Sequence, residues 1–398
     1  MRIHLAENRS AAAASSNEPG DPFYQDDTQW ALKNTGQSPP GGTADADIDA
    51  ERAWNGTTGS SDVVIAVLDT GIPMDGDGDW DEDDLSHPDL DDSNKLIVGP
   101  DYAPALSDSA SGDGNGIKDE HSHGTHVAGI AAAETNNGTG IAGVCRGCQL
   151  MPIQVFNSDG EGTSKGFYKG VKHAVDYAED NSLELVVNYS GGGDDPSSRA
   201  EDAVEYASDH DVPIVTSGGN AGQNEEQCGV EYPAAYSDQY ANVVAVAATD
   251  HNDDWATYSC EGPELNVAAP GGAGSPFDEN DIFSTSPNYR PFDDYRYFAG
   301  TSQASPLVAG TAGLMLSVEP SLTASDVRGT LETTSKDLGA SGFDEKFGYG
   351  RINAFRAVEA LFPPLSVSLS GPSQLNSGEE GTWTASVSGG GSGDPSYD

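Results

Sequence analysis

The chain has 398 residues, with 65 Asp and Glu against 18 Lys and Arg and a formal net charge of -47; such a surface repels nucleic acid phosphates and anionic membranes, so neither is expected as a partner. With 36% hydrophobic residues, 49 glycines and no apolar run of membrane-spanning length, it reads as a soluble folded chain, long enough for one large α/β domain or two ordinary ones. The excess carboxylate suits binding of cations such as calcium, or persistence in salty water where self-repulsion is screened, against the plain alternative of an acidic secreted protein.

The opening MRIHLAENRSAAAASSNEPG lacks the apolar stretch of a secretory signal. A signal and any pro-segment are therefore expected upstream, unless the start is misplaced, and residues 1–20 are expected to form a flexible segment. From about residue 60, short apolar runs alternate with helical patterns. DVVIAVLDT precedes a helix from His123 to about Glu134, QLMPIQVF precedes one through GVKHAVDYAED, and LELVVNYS one through RAEDAVEYASDH; VPIVTSGGN and ANVVAVAATD follow. Buried runs separated by helices predict a doubly wound α/β fold around a mostly parallel sheet, with ligands at the carboxyl ends of the strands. That rule lines up Asp69, Ser190 and Asn220, each at the end of an apolar run, along one edge of the sheet.

The four cysteines allow three disulfide connectivities, of which Cys145–Cys148 with Cys228–Cys260 is favoured. A zinc reading of CRGC lacks a second ligand pair, so an oxidising, extracellular compartment fits better. After Pro363-Pro364, LSVSLSGPSQLNSGEEGTWTASVSG alternates in the manner of β-strands, and residues 363–398 are expected to be a linker and the start of an incomplete β-sandwich.

Four short motifs carry chemistry. In VIAVLDTGI, Asp69 ends a strand before a glycine turn, where a carboxylate can orient a histidine and stabilise its imidazolium; alone, it is an ordinary turn or cap residue. In HSHGTHVAGIAAAE, His123 and His126 stand three apart on a helix start, the spacing of a zinc pair but also the setting of a general base. In FAGTSQASPLVAG, Ser302 follows a glycine turn at a helix start, with Pro306 near the first turn. It is either a cap or, with a base beside it, a nucleophile. In VPIVTSGGNAG, Asn220 follows a strand and two glycines, where a fixed amide can donate to an oxyanion and bare backbone lets a substrate approach.

Taken together, in the order Asp, His, Asn, Ser, these blocks resemble those of the subtilisin-family serine peptidases, or subtilases. LDTG, HGTHVAG, SGGN and GTSQASP are similar to that family's signatures, and VGPDY, VVNYSGG, LNVAAPGG and FGYGRINAFRAV fill the intervals in register over roughly residues 21–362. The resemblance implies a three-layer subtilisin-like fold and a secreted, monomeric endopeptidase acting on proteins or peptides through an acyl-enzyme. It makes Ser302 the nucleophile, His123 the general base and acid, Asp69 its orienter and Asn220 an oxyanion donor. Ser190, Gly191 and Gly192, with Gly218 and Gly219, would line the peptide, the first three by strand addition.

It also implies structural calcium, held by Asp89, Asn137, carbonyls of Thr135, Thr139 and Ile141, and Gln29. Residues 75–84 and the set Asp113, Asn115 and Asp119 are further acidic loops that either bind calcium or are simply solvated. Three departures stand out. Gln303 replaces the oxidisable methionine common beside the nucleophile, Gly191 a bulkier leucine, and Ala221 a frequent acidic residue. The last two leave the residue accepted before the cut bond open, with a broad pocket for apolar or large side chains expected. A selective kexin-type protease, cutting at basic pairs, is the second reading, though HGTHVAG lacks that group's arginine after the threonine. An inactive binding scaffold is the third.

Overall fold

The computed structural model describes residues 17–37, 41–73, 87–90, 95–103, 117–221, 228–274, 278–287 and 294–363 with their side chains, and 366–370 and 384–388 as backbone strands. In chain order the elements are α1 (Pro22–Gln25), α2 (Ala50–Ala53), β1 (Val63–Asp69), α3 (His123–Ala132), β2 (Gln149–Gln154), α4 (Ser164–Asn181), β3 (Glu184–Tyr189), α5 (Ser198–Asp209) and β4 (Ile214–Ser217). There follow β5 (Val243–Thr249), β6 (Val267–Pro270), β7 (Ile282–Thr285), β8 (Tyr295–Phe298), α6 (Thr301–Val318), α7 (Ala324–Thr334), α8 (Ala354–Glu359), β9 (Ser366–Ser370) and β10 (Thr384–Ser388).

Strands β1 to β6 form one sheet in the order β2-β1-β3-β4-β5-β6, every pair parallel. Parallel strands need crossovers, and the crossover helices cover both faces, so β1 can bury all seven residues. Its alternating side chains serve two cores. Val63, Ile65 and Val67 pack with α3 and α6, whereas Val64, Ala66 and Leu68 pack with α4 and α5. This is the expected three-layer α/β fold. Helix α6 is buried along almost its whole length, which explains why its sequence, AGTAGLML, shows no polar face.

The strand order reverses between β1 and β3, and the crevice beyond that reversal is where doubly wound sheets bind ligands. Asp69 closes β1, Ser190 follows β3 and the Gly218–Asn220 turn follows β4. The N-terminal segment crosses the opposite side of α3. There Phe23 packs edge-on against Phe283 and Tyr295 of the antiparallel β7–β8 hairpin, and its N–H bonds Gly140 O. Both favoured disulfides are present. β9 and β10 pair antiparallel. The acidic stretch 75–84, with Asp113 and Asn115, lies outside the described residues.

Candidate active site

The site is assembled from the ends of three strands, β1, β3 and β4, and the starts of two helices, α3 and α6. At the end of β1, Asp69 is 1% exposed and its Oδ1 accepts from Thr70 N at 2.7 Å and from His123 Nδ1 at 2.8 Å. A carboxylate only accepts, so His123 carries its proton on Nδ1 and turns Nε2 outward as a base. Burial alone would lower the His123 pKa; the charge and hydrogen bond of Asp69, aided by the charge of Asp119, outweigh it and hold the pKa above 6.5.

Ser302 is the second residue of α6. Its Oγ lies 3.4 Å from Ser190 O, while Ser190 Oγ donates to Ser302 O at 2.9 Å. The second bond has a local cause. Pro306 is the sixth helical residue, not in the first turn as the sequence suggested, and it has no N–H to offer the carbonyl four residues back. That carbonyl is Ser302 O, and Ser190 takes the vacant place. Ser190 is held in turn by Asn188 Nδ2 at 3.1 Å, and Asn188 Oδ1 accepts from Ser305 Oγ at 2.8 Å. Asn220 Oδ1 accepts from Thr301 N at 2.9 Å and Thr301 Oγ1 at 3.1 Å, which sends its Nδ2 donor the other way.

The structure thus brings Asp69 and His123 into contact and anchors Ser302, Ser190 and Asn220 to the start of α6. Gly191 is explained by Phe156, since a Cβ at residue 191 would fall 2.4 Å from that ring. His126 does not converge with His123 on a metal. Its Nε2 donates to Ile282 O and Arg296 O, both at 3.1 Å, and burial pushes its pKa down to about 3, so it stays neutral and staples α3 to the β7–β8 hairpin. Gln303 is buried beside the nucleophile without a thioether. The protein should therefore keep activity in a peroxide concentration that inactivates Gln303→Met, measured as residual peptide hydrolysis over time; equal loss in both would sink the idea.

One carboxylate was read from the sequence as part of an acidic loop, calcium-binding or solvated, and another escaped that reading. Asp119 is fully buried and accepts five hydrogen bonds: Oδ1 from Thr70 Oγ1, His121 N and Ser122 N, Oδ2 from Thr125 N and Oγ1. It caps α3 from outside the helix, because Ser122 at the cap position makes no side-chain cap bond. Both its oxygens are spent within the protein, so it is not a member of an acidic calcium loop.

The second is Asp21. It is fully buried, one oxygen accepts from Asn136 N at 2.8 Å, and the other has no hydrogen-bond partner among the described residues. It faces the loop that also receives Asp89, whose oxygens accept from Asn137 Nδ2 at 3.0 Å and Ile141 N at 2.9 Å. Burial raises Asp89 to about 6. Gly140, at φ 56°, lets the backbone pass close against Asp89 and Tyr295, since a Cβ would lie 1.9 Å from Asp89 Oδ2 and 2.1 Å from Tyr295 Oη. Gln29 points both side-chain atoms at the Ala142 backbone, accepting its N–H at 2.7 Å and donating to its carbonyl at 2.9 Å. A helix-end search for carboxylates with far-off backbone partners is the only sequence signal for either residue, and it is faint.

Comparison with known proteins follows from this geometry. The model of the subtilase family of peptidases matches residues 60–350. The chain belongs to the subtilase family. This subtilase is 36% identical to thermitase from Thermoactinomyces vulgaris over 312 residues, 78% of this chain and 94% of that one. It is 32% identical to a halolysin-like extracellular serine protease of Natrialba magadii over 78% of this chain and 50% of that protein. A solved protease from Pseudoalteromonas arctica PAMC 21717 superposes with a TM-score of 0.70 at 30% identity, covering 86% of this subtilase and 99% of that chain. The subtilase is accordingly a serine-type endopeptidase.

Proposed function

We propose that this subtilase, within residues 21–362, cleaves peptide bonds by attack of Ser302 Oγ on the scissile carbonyl. His123 Nε2 takes the hydroxyl proton and returns it to the leaving amine, then repeats the exchange with water to release the acyl-enzyme. Asp69 keeps the proton on Nδ1 and favours the imidazolium. Asn220 Nδ2 and Ser302 N donate to the oxyanion, and Ser190, Gly191 and Gly192 pair with the extended peptide. The observation that carries the reading is the 2.8 Å contact between buried Asp69 and His123 at the sheet's reversal point. A fluorophosphonate probe, with the adduct located by mass spectrometry, tests it. Label on Ser302 is expected, and folded protein that takes no label would refute it.

Calcium is proposed as a structural ion. Two buried carboxylates facing one loop, with one buried oxygen lacking a hydrogen-bond partner among the described residues, suit a hard cation, and the donors would be Asp89, Asn137, the carbonyls of Thr135, Thr139 and Ile141, and Asp21. Asp21 is preferred to Gln29, whose amide is already taken up by Ala142. Bound calcium would neutralise two carboxylates that burial otherwise disfavours. A ligand at about 1,000 times its Kd stabilises by about 4 kcal/mol, so chelation should lower the thermal midpoint by roughly 5 °C in a domain of this size. Asp21→Asn should abolish most of that difference, and a midpoint indifferent to chelator would sink the calcium reading. Export is proposed from the disulfides and from the extracellular relative; no helix among the described residues is long and apolar enough to cross a membrane.

A further inference from the structure

Gln303 follows the nucleophile directly, as the third residue of α6, and its backbone N–H bonds Gly300 O at 3.0 Å. Its side chain is 2% exposed, and Nε2 has no hydrogen-bond partner among the described residues. A buried donor left without an acceptor is unfavourable. Methionine or leucine would fill a similar space without that cost, so packing gives no reason for an amide at this position.

Gly300 shows what the amide borders. A Cβ on Gly300 would fall 3.0 Å from Gln303 Oε1, 3.6 Å from Ser302 N and 3.6 Å from Asn220 Oδ1. The Gln303 carboxamide therefore shares one corner, beside a residue with no side chain, with the backbone N–H of Ser302 and the side chain of Asn220. Those two groups are the donors already proposed for the oxyanion. A half-turn of the planar amide about its last bond exchanges its oxygen and nitrogen in place, so the NH2 can be presented to the corner without moving the rest of the side chain. The start of an 18-residue helix also favours negative charge at this point. Thr301 Oγ1, the neighbouring hydroxyl, is already committed to Asn220 Oδ1 and Gly219 O, at 3.1 and 3.3 Å.

We infer that Gln303 donates a further hydrogen bond to the carbonyl oxygen of the bond being cut, as that oxygen takes on negative charge. The inference rests on the Ser302 peptidase reading and deepens it. Among the described residues Nε2 has no competing acceptor, so nothing in the protein has to be given up when the oxygen arrives. A bond that strengthens as charge develops stabilises the transition state more than the bound substrate, so its loss belongs in kcat and not in KM.

The test compares wild type with Gln303→Met and Gln303→Leu, which fill a similar volume without a donor, on one peptide amide. Each is normalised to Ser302 sites titrated with a fluorophosphonate, so that only folded enzyme is counted. Removing one oxyanion donor from subtilisin costs about 10²–10³ in kcat; a donor that shares the charge with two others is expected to carry less. In both variants kcat should fall by at least about fivefold while KM stays within about twofold. A peptide aldehyde, whose adduct on Ser302 carries an oxygen in the same place, should bind more weakly by a similar factor. A smaller fall in kcat in either variant, a loss that appears in KM instead, or unchanged aldehyde binding overturns the assignment and leaves Gln303 a space-filling residue. Folded wild-type protein with no Ser302 label overturns the peptidase reading itself, and this inference with it.

Discussion

Ser302→Ala should lower kcat for a peptide amide by about 10⁶, the loss found in subtilisin itself when its nucleophile is removed; that magnitude belongs to subtilisin and not to the distances here. The direction does follow from the geometry. His123 has its Nδ1 proton fixed on Asp69 and only Nε2 left to act. Without an Oγ to deprotonate, the pair has no bond to make. The triad should also behave as a unit, so His123→Ala should cost nearly as much, and the double variant little more than either. Rates of Ser302→Ala, His123→Ala and the double variant on one peptide amide decide the matter. If the two losses multiply, the residues act separately and the acyl-enzyme reading fails.

Much of this was legible beforehand, for a definite reason. A strand covered on both faces is mostly apolar, so β1 and β5 announce themselves as apolar runs, as does β3 apart from Glu184 and Asn188, and the residue that ends such a run stands at the ligand-binding edge. Asp69, Ser190 and Asn220 were found that way, and His123 and Ser302 as helix starts. Missing were the groups whose meaning depends on partners distant in the chain. Asp119 read as part of an acidic loop, and its role shows only once Thr70, 49 positions earlier, is seen donating to it. Asp21 needs Asn136. Pro306 looked like a first-turn proline; its consequence, a helix carbonyl surrendered to Ser190, exists only once β3 is packed beside α6.

Asp119 should matter almost as much as the triad, though it touches no substrate. Removing it as Asp119→Ala leaves three backbone N–H groups and two hydroxyls without their acceptor. Water can reach those of His121 and Ser122, but Thr70 and Thr125 are buried. At roughly 1 kcal/mol for each lost bond, and more for bonds to a charge, the cost is about 3–5 kcal/mol. Measured in a Ser302→Ala background, where self-digestion cannot intervene, the thermal midpoint should drop by roughly 5 °C. A simple packing role would stop there. Asp119 also helps to raise the His123 pKa, so in the active enzyme Asp119→Asn should let that pKa fall. Since His123 works as a base only when neutral, the acidic limb of the kcat/KM profile should then move to lower pH. A displaced limb together with a lowered midpoint would show one carboxylate both building the helix that carries the base and setting the pH at which it works. An unmoved limb would leave Asp119 a cap alone.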